Sequence, residues 1–347
     1  MGILSRLLGI SGARTRLGAF KGGVGALAAT GSGFLVSAEE DPEIQFIDAT
    51  SGETQGSFNG HSAAIEILEV ASDAGIVASV EKEARTIRVW SLESFSEVAS
   101  FERPEAITAI ALTSGGSLLA VGQEDGAVEI LSVPDGSAVH KLKMPSKALG
   151  KVIEEPPEKV SYLALAPSGA YLGAAASDVL LFWRLGGRPG PKIHVLPPHR
   201  FFDLEFRADS RFLAAACGSL SLTIRIDAEG ESSVGMSDVN GAFWVKDTKS
   251  GKTNYVSFGG RSLDTVHWTQ DGEALIVVTS EPPWKNGLKK RSLVVSLKDV
   301  IGAGSQAVAQ EAKLGVGAIG AKAAYAVDSS ILAVEFNNKL YCWTVPV

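Results

Sequence analysis

The chain of 347 residues is 45% hydrophobic and 20% charged, enough for a substantial buried core and against wholesale disorder. Its net charge of −7 runs against a general nucleic-acid binder, and two cysteines are too few for a disulfide framework or a cysteine-ligated zinc site. No apolar run reaches the roughly 18 residues of a helical membrane span.

The first fourteen residues, MGILSRLLGISGAR, are apolar with two arginines and no acid. Arg6 interrupts the apolar stretch, which is too short for a secretory signal, and stands where a myristoylation pattern wants Ser or Thr. Residues 1–14 are therefore read as a tail for targeting or docking, and residues 15–347 as a single domain. The setting expected is cytoplasmic, with a mitochondrial presequence as the alternative.

From Thr15 onward one pattern recurs: a small polar turn, then an aliphatic strand ending in Ala, Gly, Val or Ser. It reads SGFLVSA, DAGIVAS, SGGSLLAV, PSGAYLGA, DSRFLAA, DGEALIV and DSSILAV. Its second apolar residues are Leu35, Val77, Leu119, Leu172, Leu213, Leu275 and Leu332, at intervals of 42, 42, 53, 41, 62 and 57 residues. Three intervals match a four-stranded propeller blade of about 40–45 residues, and the others are that period plus an insertion. An alternating strand precedes most anchors (IEILEV, ITAIAL, VSYLALA, FFDLEF, LDTVHW). Another follows each (EIQFID, TIRVW, AVEIL, VLLFW, LTIRI, SLVVSL, KLYCW). Alternation with Gly, Asp and Ser punctuation predicts strands and turns. Cys217 and Cys342 fall inside apolar strand-like runs and are expected as buried free thiols.

The fold expected is all-β: a seven-bladed β-propeller closed by pairing of N- and C-terminal strands in the last blade. The last unit ends on its third strand, KLYCWTVPV, and residues near Thr15 to Phe20 supply the fourth, because an open ring would leave raw strand edges. One stretch, AFWVKDTKSGKTNYVSF (242–258), fits several parses. It is an extra hairpin of the fifth unit, its true third strand after a long insertion, or a fragment of an eighth unit.

The units resemble the WD-repeat propeller family. Trp90, Trp183 and Trp343 end the third strand of their units, where that family places its tryptophan, and Gly60-His61 is similar to its Gly-His pair. Asp125-Gly126 is similar to its turn between second and third strands. The repeats are degenerate: Ser91, Arg184 and Thr344 follow the three tryptophans, so the WD dipeptide is absent there. The resemblance implies structural roles for Trp90, Trp183, Trp343 and Asp125, with a network joining His, a turn Asp and Trp in about one blade. It also implies a rigid, non-enzymatic scaffold for protein partners in a larger complex.

No phosphate-binding loop, nucleophile elbow or zinc-protease motif is present, and no cofactor or metal is expected. Six units carry a basic residue just before the first strand: Lys21, His61, Arg103, Lys159, Arg200 and Arg261. In a propeller these entry loops gather on one face, so they predict a basic face for acidic or phosphorylated segments. A second candidate is the SEPPWKNGLKKRS insertion, where Trp284 stands beside Lys285, Lys289, Lys290 and Arg291. An aromatic residue within a basic cluster suits a protein partner or, as a weaker alternative, RNA in a ribonucleoprotein. The rival class is a channel enzyme or small-ligand binder built on Glu69, Glu205 and His267, which share one column of the first strands.

Overall fold

The computed structural model describes residues 15–143, 147–148, 151–152, 159–176, 179–186, 192–195, 200–226, 232–259, 262–280, 290–297, 301, 310–313, 322–326, 328–336 and 339–344. They build a β-propeller of four-stranded antiparallel sheets. Seven such sheets span 24–58, 65–102, 107–143, 162–195, 200–259, 262–313 and 323–344, the last completed by Thr15–Ala19. A two-stranded ribbon, Lys147–Ala148 with Lys151–Val152, lies in the connection between the third and fourth sheets.

Within each of the first six sheets the strands pair in chain order. First strands of successive sheets touch, and Ala323–Ala326 of the seventh touches Val24–Ala29 of the first. Thr15–Ala19 takes the fourth place in the seventh sheet, pairing Thr15 with Cys342 and Ala19 with Lys339.

The seven anchors explain the packing. Each lies on a second strand, is at most 1% exposed, and sits opposite a third-strand residue: Val77 opposite Trp90, Leu119 opposite Leu131, Leu172 opposite Trp183, Leu332 opposite Trp343. Successive residues face opposite sides of a sheet. Val77 therefore joins the apolar layer shared with the first sheet, and Ala78 the layer shared with the third. Seven such layers occur, one between every two neighbouring sheets, including the seventh against the first. Trp90, Trp183 and Trp343 each pack back onto the preceding sheet. Cys217 and Cys342 are both buried.

Turn chemistry follows the sequence. Asp125 accepts the Ala127 N–H at 2.9 Å, and Gly126 takes φ 79°, which favours glycine. Five first strands carry a register shift near their start, at Val24/Ala26, Ile65/Ile67, Ile107/Ala109, Phe201/Asp203 and Leu263/Thr265. Such bulges increase the local twist where the strands enter the ring.

The fifth sheet resolves the ambiguous stretch and corrects one strand. Its second strand is Phe212–Ile226 and its third is Ser232–Asp247, so LTIRI is the far half of the second strand rather than the third. Thr253–Gly259 is the fourth. The part of the third strand that pairs with the fourth, Asn240–Lys246, thus comes after a long insertion whose arms continue the second and third strands.

Candidate functional site

The entry residues behave very differently from one another. His61 is buried and faces inward. The Trp90 indole N–H donates to Ser79 Oγ at 2.7 Å. Burial favours the neutral ring and the Glu81 carboxylate beside Nδ1 can only accept, so Nε2 is the acceptor and takes the Ser79 hydroxyl proton, also at 2.7 Å. His61 is then neutral with its proton on Nδ1, which donates to Glu81 Oε1 at 3.0 Å. Burial pushes the His61 pKa down despite the pull of Glu81. Burial also pulls the Glu81 carboxyl up, but the donors Ser62 and His61 together outweigh it and hold it low. Gly60 makes room for this: its φ is 142°, and a Cβ there would lie 3.2 Å from Trp90. His61 is therefore corrected from a partner-facing residue to a structural one. The network ends on Glu81, at the end of the second strand, rather than on a turn aspartate.

Arg103 is also turned to structural use. Its side chain is 17% exposed and its Nη1 lies 3.1 Å from Glu129 Oε2, while Lys141 reaches Glu129 Oε1 at 3.1 Å. Burial raises the Glu129 carboxyl, and Lys141 with Arg103 more than offset that to hold it low. A cation so neutralised is a poor anion receptor. Lys21 is exposed beside Glu40 at 3.2 Å, and Lys159 is exposed. Arg200 opens the strand Arg200–Phe206, opposite Gly218. Arg261 lies outside the described residues, as do Trp284, Lys285 and Lys289. Lys290 and Arg291 belong to the third strand of the sixth sheet, paired with Ser280 and Thr279, and so leave the insertion loop they were assigned to.

Lys322 completes the entry column in the seventh sheet, and the sequence pattern missed it. Its ammonium donates to the Val24 and Gly25 carbonyls of the first sheet. It belongs to a set of staples across the inner strands, whose facing edges have no ladder between them. The Thr108 hydroxyl donates to the Val160 carbonyl at 2.6 Å, joining the third sheet to the fourth. Asp203 Oδ2 accepts the Val266 N–H at 3.0 Å, and Glu205 Oε1 accepts the Trp268 N–H at 3.3 Å, joining the fifth to the sixth.

The channel candidates converge at these staples. Glu205 Oε2 lies 3.0 Å from His267 Nδ1, and the Trp268 indole donates to the Glu205 carbonyl at 3.2 Å. Glu69 faces them from the second sheet: burial first, then the charges of Asp203 and Glu205, push its pKa up to about 8. Burial likewise pushes Asp203 to about 6, against the pull of His267 and the Val266 N–H. Burial alone would lower His267, but Glu205 and Asp203 together raise it. Both oxygens of Glu205 and both of Asp203 are occupied, since Leu204 N donates to Asp203 Oδ1 at 2.9 Å. Asp203 and Glu205 are thus engaged in holding the fifth sheet to the sixth. Among the described residues no three His, Cys, Asp or Glu side chains are arranged to hold a metal ion.

Comparison with known proteins agrees with this architecture. The family model described as the anaphase-promoting complex subunit 4 WD40 domain matches residues 83–166. The chain is 28% identical over 106 residues to the pre-mRNA-splicing factor cwf17 of Schizosaccharomyces pombe, covering 30% of each protein. It is 26% identical over 207 residues to pre-mRNA-processing factor 19 homolog 2 of Arabidopsis thaliana, covering 56% of this chain and 35% of that one. The chain spans about a third of the length of these curated relatives. A chain of Kuenenia stuttgartiensis hydrazine synthase superposes with a TM-score of 0.69 at 12% identity, over 92% of this chain and 95% of that one. At such identity the likeness is one of fold alone.

Proposed function

Since the chain is a β-propeller of the WD-repeat family, we propose that it acts as a non-enzymatic interaction scaffold, one subunit of a larger protein complex, with its seven sheets as the blades of one closed ring. The observation that carries this reading is where the polar side chains are used. Asp203, Glu205, Thr108 and Lys322 bond neighbouring inner strands, and His61 and Arg103 are consumed inside the sheets. A ring stapled in this way fixes many loops in advance, so a partner binds without ordering them first.

The partner face is the entry side, reduced to Lys21, Lys159, Arg200 and Arg261, with the insertion of Trp284, Lys285 and Lys289 as a second contact. These cations suit an acidic or phosphorylated segment. The curated relatives carry names from pre-mRNA splicing and processing, which favours an RNA-processing assembly, and with it a nucleus, over the cytoplasm. Binding to RNA itself would then pass through the insertion.

The test is fluorescence anisotropy with an acidic peptide and its phosphoserine form. Lys159→Glu with Arg200→Glu is expected to abolish binding while the melting temperature stays unchanged, and binding by the unaltered chain should weaken with salt. Equal binding by variant and unaltered chain would remove the entry face as the site.

A further inference from the structure

We infer that Asn59 is a site of spontaneous covalent modification, where its side chain cyclises onto the Gly60 backbone nitrogen and the product unlocks the His61 network. Asn59-Gly60 opens the connection from Thr54–Phe58, the fourth strand of the first sheet, to Ile65–Ala71, the first strand of the second. Both residues are exposed. Gly60 has no Cβ to shield its nitrogen from the neighbouring side chain. Among the described residues nothing accepts the Gly60 N–H, so no hydrogen bond has to break before that nitrogen reacts.

Ser57 completes the site: the Asn59 Nδ2 amide donates to Ser57 Oγ at 3.1 Å. In the reaction the Gly60 nitrogen loses its proton to solvent and attacks Asn59 Cγ, forming an N–Cγ bond. Nδ2 becomes basic in the tetrahedral centre that results. The Ser57 hydroxyl beside it supplies a proton, and the Cγ–Nδ2 bond then breaks. Ammonia leaves, solvent returns the Ser57 proton, and a five-membered succinimide remains with nothing oxidised or reduced. Water opens this ring, its hydroxyl going to a carbonyl carbon and its other proton to the Gly60 nitrogen. Breaking the bond from that nitrogen to Cγ gives aspartate. Breaking its bond to the main-chain carbonyl carbon gives isoaspartate, in which the chain runs through Cβ and Cγ and is one atom longer.

The extra atom falls where the fold has little room. Gly60 lies at φ 142°, and a Cβ on it would sit 3.2 Å from the Trp90 ring. His61, the next residue, holds Ser79 Oγ at 2.7 Å and Glu81 Oε1 at 3.0 Å. A longer chain just before them moves the imidazole off both partners. A second Asn-Gly pair serves as an internal control. Asn240-Gly241 lies within the third strand of the fifth sheet, and Gly241 is paired with Gly218 on one side and Phe258 on the other. Its backbone is held in the ladder on both sides and should stay intact.

The full chain, folded and in urea, is held at pH 8 and 37 °C. Each Asn-Gly site is followed by proteolysis and mass spectrometry, with isoaspartyl methyltransferase labelling the isoaspartate. Folded Asn59 should convert within about tenfold of its rate in the unfolded chain, and folded Asn240 about 100-fold more slowly than Asn59. Ser57→Ala should slow the folded reaction several-fold and leave the reaction in urea unchanged. After equal ageing the unaltered chain should melt several degrees below Asn59→Ser, which lacks the amide that cyclises. Folded Asn59 slowed by more than about tenfold, or Asn240 keeping pace with it, would overturn the inference. An aged chain that melts with the aged Asn59→Ser variant would overturn the link to His61, and an unslowed Ser57→Ala would remove that hydroxyl from the reaction.

Discussion

Replacing Glu69 by Gln should make the stability of the propeller much less dependent on pH. The Glu69 carboxyl, ordinarily near 4.5, is pushed to about 8 by burial and by the facing charges of Asp203 and Glu205. The folded state therefore holds a proton that the unfolded chain releases. Stability is greatest below pH 4.5 for this group and falls as pH rises toward 8, where the folded carboxyl also ionises. At about 1.36 kcal/mol per pKa unit the full penalty is about 5 kcal/mol, which partial hydration of the site reduces to about 2–3 kcal/mol. Asp203, raised to about 6, acts in the same direction. His267 does too: its raised pKa stabilises at low pH, and the gain is lost as pH rises through the folded value. Thermal melting followed by circular dichroism from pH 5 to pH 9 reads this directly. The variant should match the unaltered chain at pH 5 and melt several degrees higher at pH 9, at about 2 °C per kcal/mol. Parallel curves across the range would refute the placement of Glu69 against the two carboxylates.

Three further outcomes follow from the same geometry. Ser79→Ala strands the Trp90 indole N–H and His61 Nε2 without partners and should cost about 2–4 kcal/mol by urea denaturation, whereas Ser62→Ala at the exposed end should cost under about 1 kcal/mol. Arg103→Met leaves the nearly buried Glu129 with only the exposed Lys141 and should cost about 1–3 kcal/mol, while Lys159→Glu should leave the denaturation midpoint unchanged. Removing Thr15–Ala19 takes away the strand beside Lys339–Thr344 and uncovers the layer between seventh and first sheets; soluble yield and cooperativity of melting should collapse.

The strand pattern was legible wherever one residue column carried the fold. The anchors Leu35 through Leu332 are apolar because each is sealed between two sheets, and that demand recurs in every unit. The pairing of Thr15–Ala19 with the last strand followed from a missing fourth strand. The fifth sheet was misread because LTIRI alternates like any strand, and alternation carries no mark of whether a strand begins or continues. At the entry face the residue types were visible and their acceptors were not. Glu81 lies 20 residues from His61 and Glu129 lies 26 from Arg103, so only the sheet register brings them together. Asp203 was passed over although it stands two residues before Glu205 in the same strand; a rule seeking polar residues at alternate positions of a first strand would have found it.

The central claim is tested most directly by isolating the tagged chain from its native cells and weighing what comes with it by mass spectrometry, before and after a high-salt wash. The scaffold account predicts a stoichiometric companion protein at low salt that is released by high salt and absent from Lys159→Glu with Arg200→Glu. A chain that emerges with no companion protein at either salt concentration would contradict it.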